Sequence, residues 1–271
     1  MKRALLYFFV FLAVELCVGG IASLVIRLWF PTVDATSSTT LLIITAVCSV
    51  ILTALFLLLK WCPISRNYIR SRPWATLSWT VLFGTGVVIP FTWFMEQLPK
   101  SWLPDLMADE LKDMMSSSEG YFVVCMLAPL MEEIIFRGAI IRALRDWYVK
   151  RWGNTPAFNE MSKAEWMAII LSAVLFGVAH MNPAQIPYAA IIGVLFGWLF
   201  VKTGSIVPGL LIHWINNSMA YVSVKMFPTL PTDAHLADYF GGSESAVLRA
   251  VICSLMIAVP SFYQLFKTKR V

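Results

Sequence analysis

The fold predicted by this sequence is an all-α, polytopic transmembrane helical bundle, and three observations predict it. Of its 271 residues, 59% are hydrophobic and only 14% charged, with a mean hydropathy of +0.73, whereas a soluble domain carries roughly a quarter charged residues. Residues 41–59 hold no charge at all, and an apolar run of about 18 residues or more reads as a membrane-crossing helix. The charge of the segments between the apolar runs alternates along the chain, as it does when successive loops fall on opposite sides of a bilayer.

Eight apolar segments follow in order, at about 5–29, 41–60, 75–95, 121–142, 165–181, 186–201, 205–225 and 246–266. The first follows Lys2 and Arg3 and could pass for a signal peptide, with Gly20-Ile21-Ala22 as a small-residue cleavage site. It is longer than a secretory apolar core, so a retained first helix is expected. No Lys or Arg lies between the first two segments, whereas Arg66, Arg70 and Arg72 follow the second. The next loop is acidic, with Glu96, Asp105, Asp109, Glu110, Asp113 and Glu119 against Lys100 and Lys112. Arg145, Lys150, Arg151 and Lys163 follow the fourth segment, and Trp147, Tyr148 and Trp152 among them suit a stretch at the membrane interface. The fifth and sixth segments are short and separated by a turn at Asn182-Pro183 and Pro187, with no basic residue between them. Lys202 marks the sixth loop; Asp233, Asp238 and Glu244 the seventh; Lys267, Lys269 and Arg270 the C-terminus. Every even loop is basic, which predicts a multi-pass cell-membrane protein with both termini cytoplasmic. Arg27 and Arg249 fall near the opposite ends, where long side chains reach water. Residues 1–271 read as a single membrane domain.

The net charge of +5 is accounted for by these flanking residues, and nothing points to nucleic acid. Cys17, Cys48, Cys62, Cys125 and Cys253 are scattered, with no CxxC pair, so neither a disulfide framework nor a zinc cluster is expected.

Ionisable groups inside hydrocarbon are costly and therefore mark function. The fourth segment contains Met131-Glu132-Glu133-Ile134-Ile135-Phe136-Arg137-Gly138. Glu133 and Arg137 are four apart on a helix and can pair. Glu132 points about 100° away and is left for other work. Pro129, lacking an N–H, weakens the local ladder beside the glutamates. The fifth segment carries Phe176 and His180, and the seventh carries His213 and Asn217, each pair one helical turn apart. Taken singly, a Glu–Arg pair is a structural tie, a histidine at a helix end is a hydrogen-bonded fixture, and a His/Asn pair is interhelical glue. Together they supply a base for water and donors for an oxyanion. No G-x-S-x-G or H-E-x-x-H occurs, and no Asp lies in an apolar segment.

In this order, Glu132-Glu133-x-x-x-Arg137, Phe176-x-x-x-His180 and His213-x-x-x-Asn217 resemble the three motifs of the CAAX-protease and bacteriocin-processing (Abi) family, which includes the type II CAAX prenyl endopeptidases. The resemblance covers roughly residues 128–218, with a catalytic core at about 120–225, and takes in Ala128-Pro129, Asn182-Pro183 and Gly204-Ser205-Ile206-Val207-Pro208-Gly209. It implies a metal-independent intramembrane glutamate endopeptidase. Glu132 and His180 would activate the water, and His213 and Asn217 would form the oxyanion site. Glu133 and Arg137 would support Glu132, with Phe176 in the site wall. The donor set alone leaves open a zinc ion on Glu132, His180 and His213; the resemblance argues against one, and no cofactor is expected. The partners implied are the lipid bilayer and a peptide or membrane-protein substrate: a prenylated tail, a leader peptide or a membrane protein. The competing classes are a non-catalytic scaffold or bacteriocin immunity protein, and a proton-coupled transporter using the same residues as a relay.

Overall fold

The computed structural model describes residues 1–271 except 31, 33, 64–66, 100–102, 159, 269 and 271. Of the loop charges, Arg66, Lys100 and Lys269 lie outside the described residues.

All eight apolar segments are helical. The first three are α1 (Lys2–Trp29), α2 (Ser38–Leu58) and α4 (Trp74–Glu96), with a one-turn α3 (Asn67–Arg70) in the second loop. The Ser37 hydroxyl caps α2 by accepting from the Thr40 N–H at 3.4 Å, satisfying a donor that the first helical turn leaves free. A short α5 (Ala108–Met115) lies in the acidic third loop. The fourth segment sits in a longer helical run made of α6 (Ser118–Gly120), a π-helical stretch Tyr121–Leu127, α7 (Ala128–Glu132), a second π stretch Glu133–Ile141, and α8 (Arg142–Trp152). Then follow α9 (Lys163–Ala179), α10 (Gln185–Thr203), α11 (Val207–Met226), a 3₁₀ turn Leu236–Phe240 and α12 (Glu244–Lys267). A reciprocal pair of bonds between Ser162 and Glu165 starts α9, and Gly204, at φ +65°, ends α10 in the left-handed region.

Two expectations change. The stretch after the fourth segment is not a loop: α8 continues to Trp152, and an antiparallel hairpin of β1 (Pro156–Phe158) and β2 (Met161–Ser162) leads into α9. This small hairpin is a minor departure from an all-α fold. Of the eight helices, five are long and apolar enough to cross a membrane: α1, α2, α4, α10 and α12. The helices bearing Glu132, His180 and His213 are not among them. One is broken into π stretches, α9 has only 17 residues, and α11 carries His213, Asn216 and Asn217 in its middle.

Contacts sort the loops between the two ends of the bundle. At one end, Asn182 donates to Asp105 at 2.7 Å, Lys112 donates to the Leu230 carbonyl at 2.6 Å, and the Leu236 N–H donates to Glu96 at 2.6 Å. The third, fifth and seventh loops therefore meet. At the other end, the buried Glu165 pairs with Arg145 at 3.1 Å and with Arg270 of the C-terminal tail, and Lys202 donates to the Phe266 carbonyl. The fourth and sixth loops thus share an end with the C-terminus.

Close helix packing rests on glycine. A Cβ on Gly177 of α9 would stand 2.6 Å from the Ile186 carbonyl oxygen of α10, and one on Gly86 of α4 would stand 2.8 Å from the Ala258 nitrogen of α12. Without a hydrophobic drive between helices in lipid, such close approaches supply the packing energy. Outward faces remain apolar: Leu16, Ile21 and Leu28 on α1, and Met256 and Val259 on α12, are exposed, as lipid contact requires.

Candidate active site

The site forms where α7 and the second π stretch pass between α9, α10 and α11. A π turn fits an extra residue into the helix and is common at functional positions. Here it buries every residue of Glu133–Ile141. Arg137 pairs with Glu133 at 3.0 Å, and both are essentially inaccessible. The guanidinium lies 4.3 Å from the centroid of the Phe176 ring and 5.0 Å from that of Phe196, and donates to the Gly193 carbonyl at 3.3 Å. Charge, aromatic faces and a backbone oxygen compensate its burial together.

Glu132 turns away from that pair. One carboxylate oxygen is 3.5 Å from His213 Nε2, while His213 Nδ1 is 3.4 Å from Glu133 Oε1. The imidazole is thus bracketed by the two adjacent glutamates, and each ring nitrogen faces an acceptor. Phe196 stacks on the imidazole with centroids 5.2 Å apart, and Phe176 meets it edge-on at 5.8 Å. The two aromatic rings therefore hold Arg137 and His213 together.

His180 ends α9. Its Nδ1 is 2.9 Å from the Phe176 carbonyl, and its ring packs edge-on against Phe176 with centroids 5.0 Å apart. A carbonyl only accepts, so Nδ1 carries the proton. In the neutral ring Nε2 is then the free lone pair. Met181, at φ +49°, and the buried Asn182 turn the chain away directly after it.

Asn217 stands one turn beyond His213 and is engaged elsewhere. Its amide donates to the Val124 carbonyl at 3.0 Å, and its oxygen accepts from Asn216 at 3.2 Å. The structure thus gathers Glu132, Glu133, Arg137, Phe176 and His213 directly, attaches His180 through Phe176, and sets Asn217 beside the group against backbone. Among the described residues, no three His, Cys, Asp or Glu side chains gather as a metal set, so Glu132, His180 and His213 do not form one in this geometry.

Sequence reading gave no site role to four contributors. Phe196 and Gly193 come from α10. A Cβ on Gly193 would stand 3.2 Å from Arg137 Nη2, and one on Gly209 would stand 2.9 Å from Glu133 Oε2, so both glycines make room for the buried pair. The signal for Gly193 was a small-residue stripe, Ala189, Gly193 and Gly197, one turn apart on α10, whereas Gly209 lay in the stretch 204–209 already read as part of the resemblance. Glu15 is the fourth. It is a lone carboxylate within the first apolar segment, on α1, the helix that packs against the second π stretch. Between the helix of Glu132 and α11 lies an apolar groove of about 270 Å³, walled by Met126, Leu130, Leu210 and Trp214 among others.

Residues 118–219 match the family described as type II CAAX prenyl endopeptidase Rce1-like. The match runs from the start of α6 to the middle of α11 and takes in every residue of the site except Glu15. No curated protein and no solved structure matches the chain.

Proposed function

Taking residues 118–219 as those of a CAAX-protease family member, we propose that this protein is an intramembrane, metal-independent endopeptidase in which Glu132 and His180 activate a water molecule. The observation that carries the reading is the Glu132–His213 contact at 3.5 Å between two helices, with the neighbouring carboxylate taken up by Arg137 at 3.0 Å. Both glutamates face the imidazole, but Glu133 is tied to Arg137 and Glu132 is not.

In this mechanism the free Nε2 of His180 accepts from the water and orients it, while Glu132 takes the proton as the water oxygen bonds to the scissile carbonyl carbon. Charge develops on the carbonyl oxygen, where the Nε2–H of His213, turned from Glu132 as that carboxylate takes up the proton, and the second amide hydrogen of Asn217 donate. Collapse breaks the C–N bond, and Glu132 returns the proton to the departing amine. The apolar groove beside the site suits a lipidated or aliphatic substrate segment, in keeping with the substrate class in the family's name. The shared end of the fourth loop, sixth loop and C-terminal tail fits a cytoplasmic C-terminus, which membrane-impermeant labelling of single cysteines at the two ends would reveal; labelling from outside at Arg270 would refute it.

Purified wild type and Glu132→Gln, assayed on a quenched peptide ending in a farnesylated Cys-aliphatic-aliphatic-X tail and on its unprenylated form, test the chemistry. Glu132→Gln should lose about 10³-fold or more in kcat with an unchanged melting profile. Full activity in that variant, or no cleavage of either peptide by wild type, would defeat the proposal. A scaffold would be indifferent to the substitution, and a proton relay would lose flux instead.

A further inference from the structure

The amide of Asn217 has two hydrogens and one oxygen of use, and its work depends on which way round it sits. Its hydrogen-bond partners decide that orientation. Here the network has one end that cannot change. In the first π stretch the Ala128 N–H bonds to the carbonyl of Val123, five residues back. In that register the next N–H, facing Val124, would be that of residue 129. Residue 129 is proline and has none, which leaves the Val124 carbonyl open. Asn217 Nδ2 donates to it at 3.0 Å.

Because a carbonyl can only accept, Asn217 must present its NH₂ there, and its oxygen must face the other way. That oxygen accepts from Asn216 Nδ2 at 3.2 Å, which in turn forces the Asn216 oxygen outward, where the Tyr188 hydroxyl donates to it. Tyr188 comes from α10 and is held by Phe91 of α4, with ring centroids 4.6 Å apart. The chain of donors thus runs from Tyr188 through Asn216 to Asn217 and ends on a carbonyl freed by Pro129. One hydrogen of the Asn217 amide remains unspent.

We propose that Tyr188 and Asn216 are positioning residues, which act by fixing the orientation of the Asn217 amide so that its remaining N–H is offered to the substrate. The inference rests on Asn217 serving as an oxyanion donor. Removing the Tyr188 hydroxyl leaves Asn216 free to turn over, and its oxygen can then confront that of Asn217. The Asn217 amide can relieve that repulsion only by giving up its bond to Val124 and turning over, which presents a lone pair where negative charge must develop. Such a defect falls on the transition state and not on substrate binding.

Three variants decide it on the farnesylated peptide: Tyr188→Phe, Asn217→Ala and the double substitution. Asn217→Ala should lower kcat by about 10²-fold or more, as loss of an oxyanion donor does. Tyr188→Phe should lower kcat by about 10-fold or more with KM unchanged, and the double variant should be no worse than Asn217→Ala, since residues acting through one another are not additive. A full kcat in Tyr188→Phe beside an impaired Asn217→Ala, or losses that multiply in the double variant, would overturn the proposal while leaving the protease reading intact. A full kcat in Asn217→Ala would remove the oxyanion role and this inference with it. If Tyr188→Phe does not yield folded protein, the isosteric Asn216→Asp, which still accepts from Tyr188 but cannot donate as a carboxylate, is judged by the same criteria. Failure of both to fold would show residues that hold the bundle, not residues that aim an amide, and would equally overturn the proposal.

Discussion

Helices α1 and α10 are both apolar enough to cross a membrane, yet 61% of the α10 span is buried in the protein against 6% of α1. In water, such composition would bury both. In a bilayer, lipid tails satisfy an apolar side chain as well as protein does, so hydropathy finds spans without saying what they face. Small-residue spacing makes the distinction. On α10, Ala189, Gly193 and Gly197 recur every turn and line the approach of Phe176, Arg137 and Ile169, whereas Gly19 and Gly20 on α1 are adjacent and open, with nothing within 4 Å of an added Cβ. Glycine in a membrane helix is informative when its repeat matches the helix.

The sharpest way to break this comparison is to attack what α10 encloses. Arg137→Met leaves Glu133 buried without its cation, and breaking a buried pair costs about 3–5 kcal/mol. The variant should melt far below wild type in detergent, and Glu133→Gln combined with Arg137→Met should recover part of the loss. An Arg137→Met protein as stable as wild type would mean that the pair sits in a wetter environment than the structure has. Glycine substitutions probe the same contrast with smaller effects. Gly177→Ala must push apart α9 and α10, whose backbones leave 2.6 Å for the new methyl, and overpacking of this kind costs about 1–3 kcal/mol. The matched change on the lipid-facing helix, Gly20→Ala, should stay within about 0.5 kcal/mol. Equal melting shifts for the two would erase the distinction between the helices.

Much of the architecture was legible because membrane helices announce themselves. Each of the eight apolar segments is a helix, and the alternation of loop charge agrees with contacts such as Asn182–Asp105 at one end and Arg270–Glu165 at the other. The candidate site residues were legible one by one for the same reason: Glu132, His180 and His213 stand out against hydrocarbon. Less visible was anything whose meaning depends on backbone register. The stretches 121–127 and 133–141 carry no mark that they wind as π helix, since the difference is one hydrogen-bond step. Pro129 was visible as a weak point, but not that Val124 would be the carbonyl it orphans. Phe196 looked like one more apolar residue, and Glu15 was passed over because it has no neighbour of its kind along the chain.

By itself, the sequence determined the apolar character of the chain, the order of its eight apolar helices, and which polar and charged side chains stand out within them. These are properties of composition and short-range period, and they hold whatever the helices touch. Only the tertiary structure decided the pairings: Glu132 with His213, Phe196 over the imidazole, and Asn217 on Val124 through a chain that begins at Tyr188. Helix rotation and depth set those contacts, and they come from close packing at glycines and from π turns that shift a helix face by a fraction of a turn. A local period cannot encode that displacement.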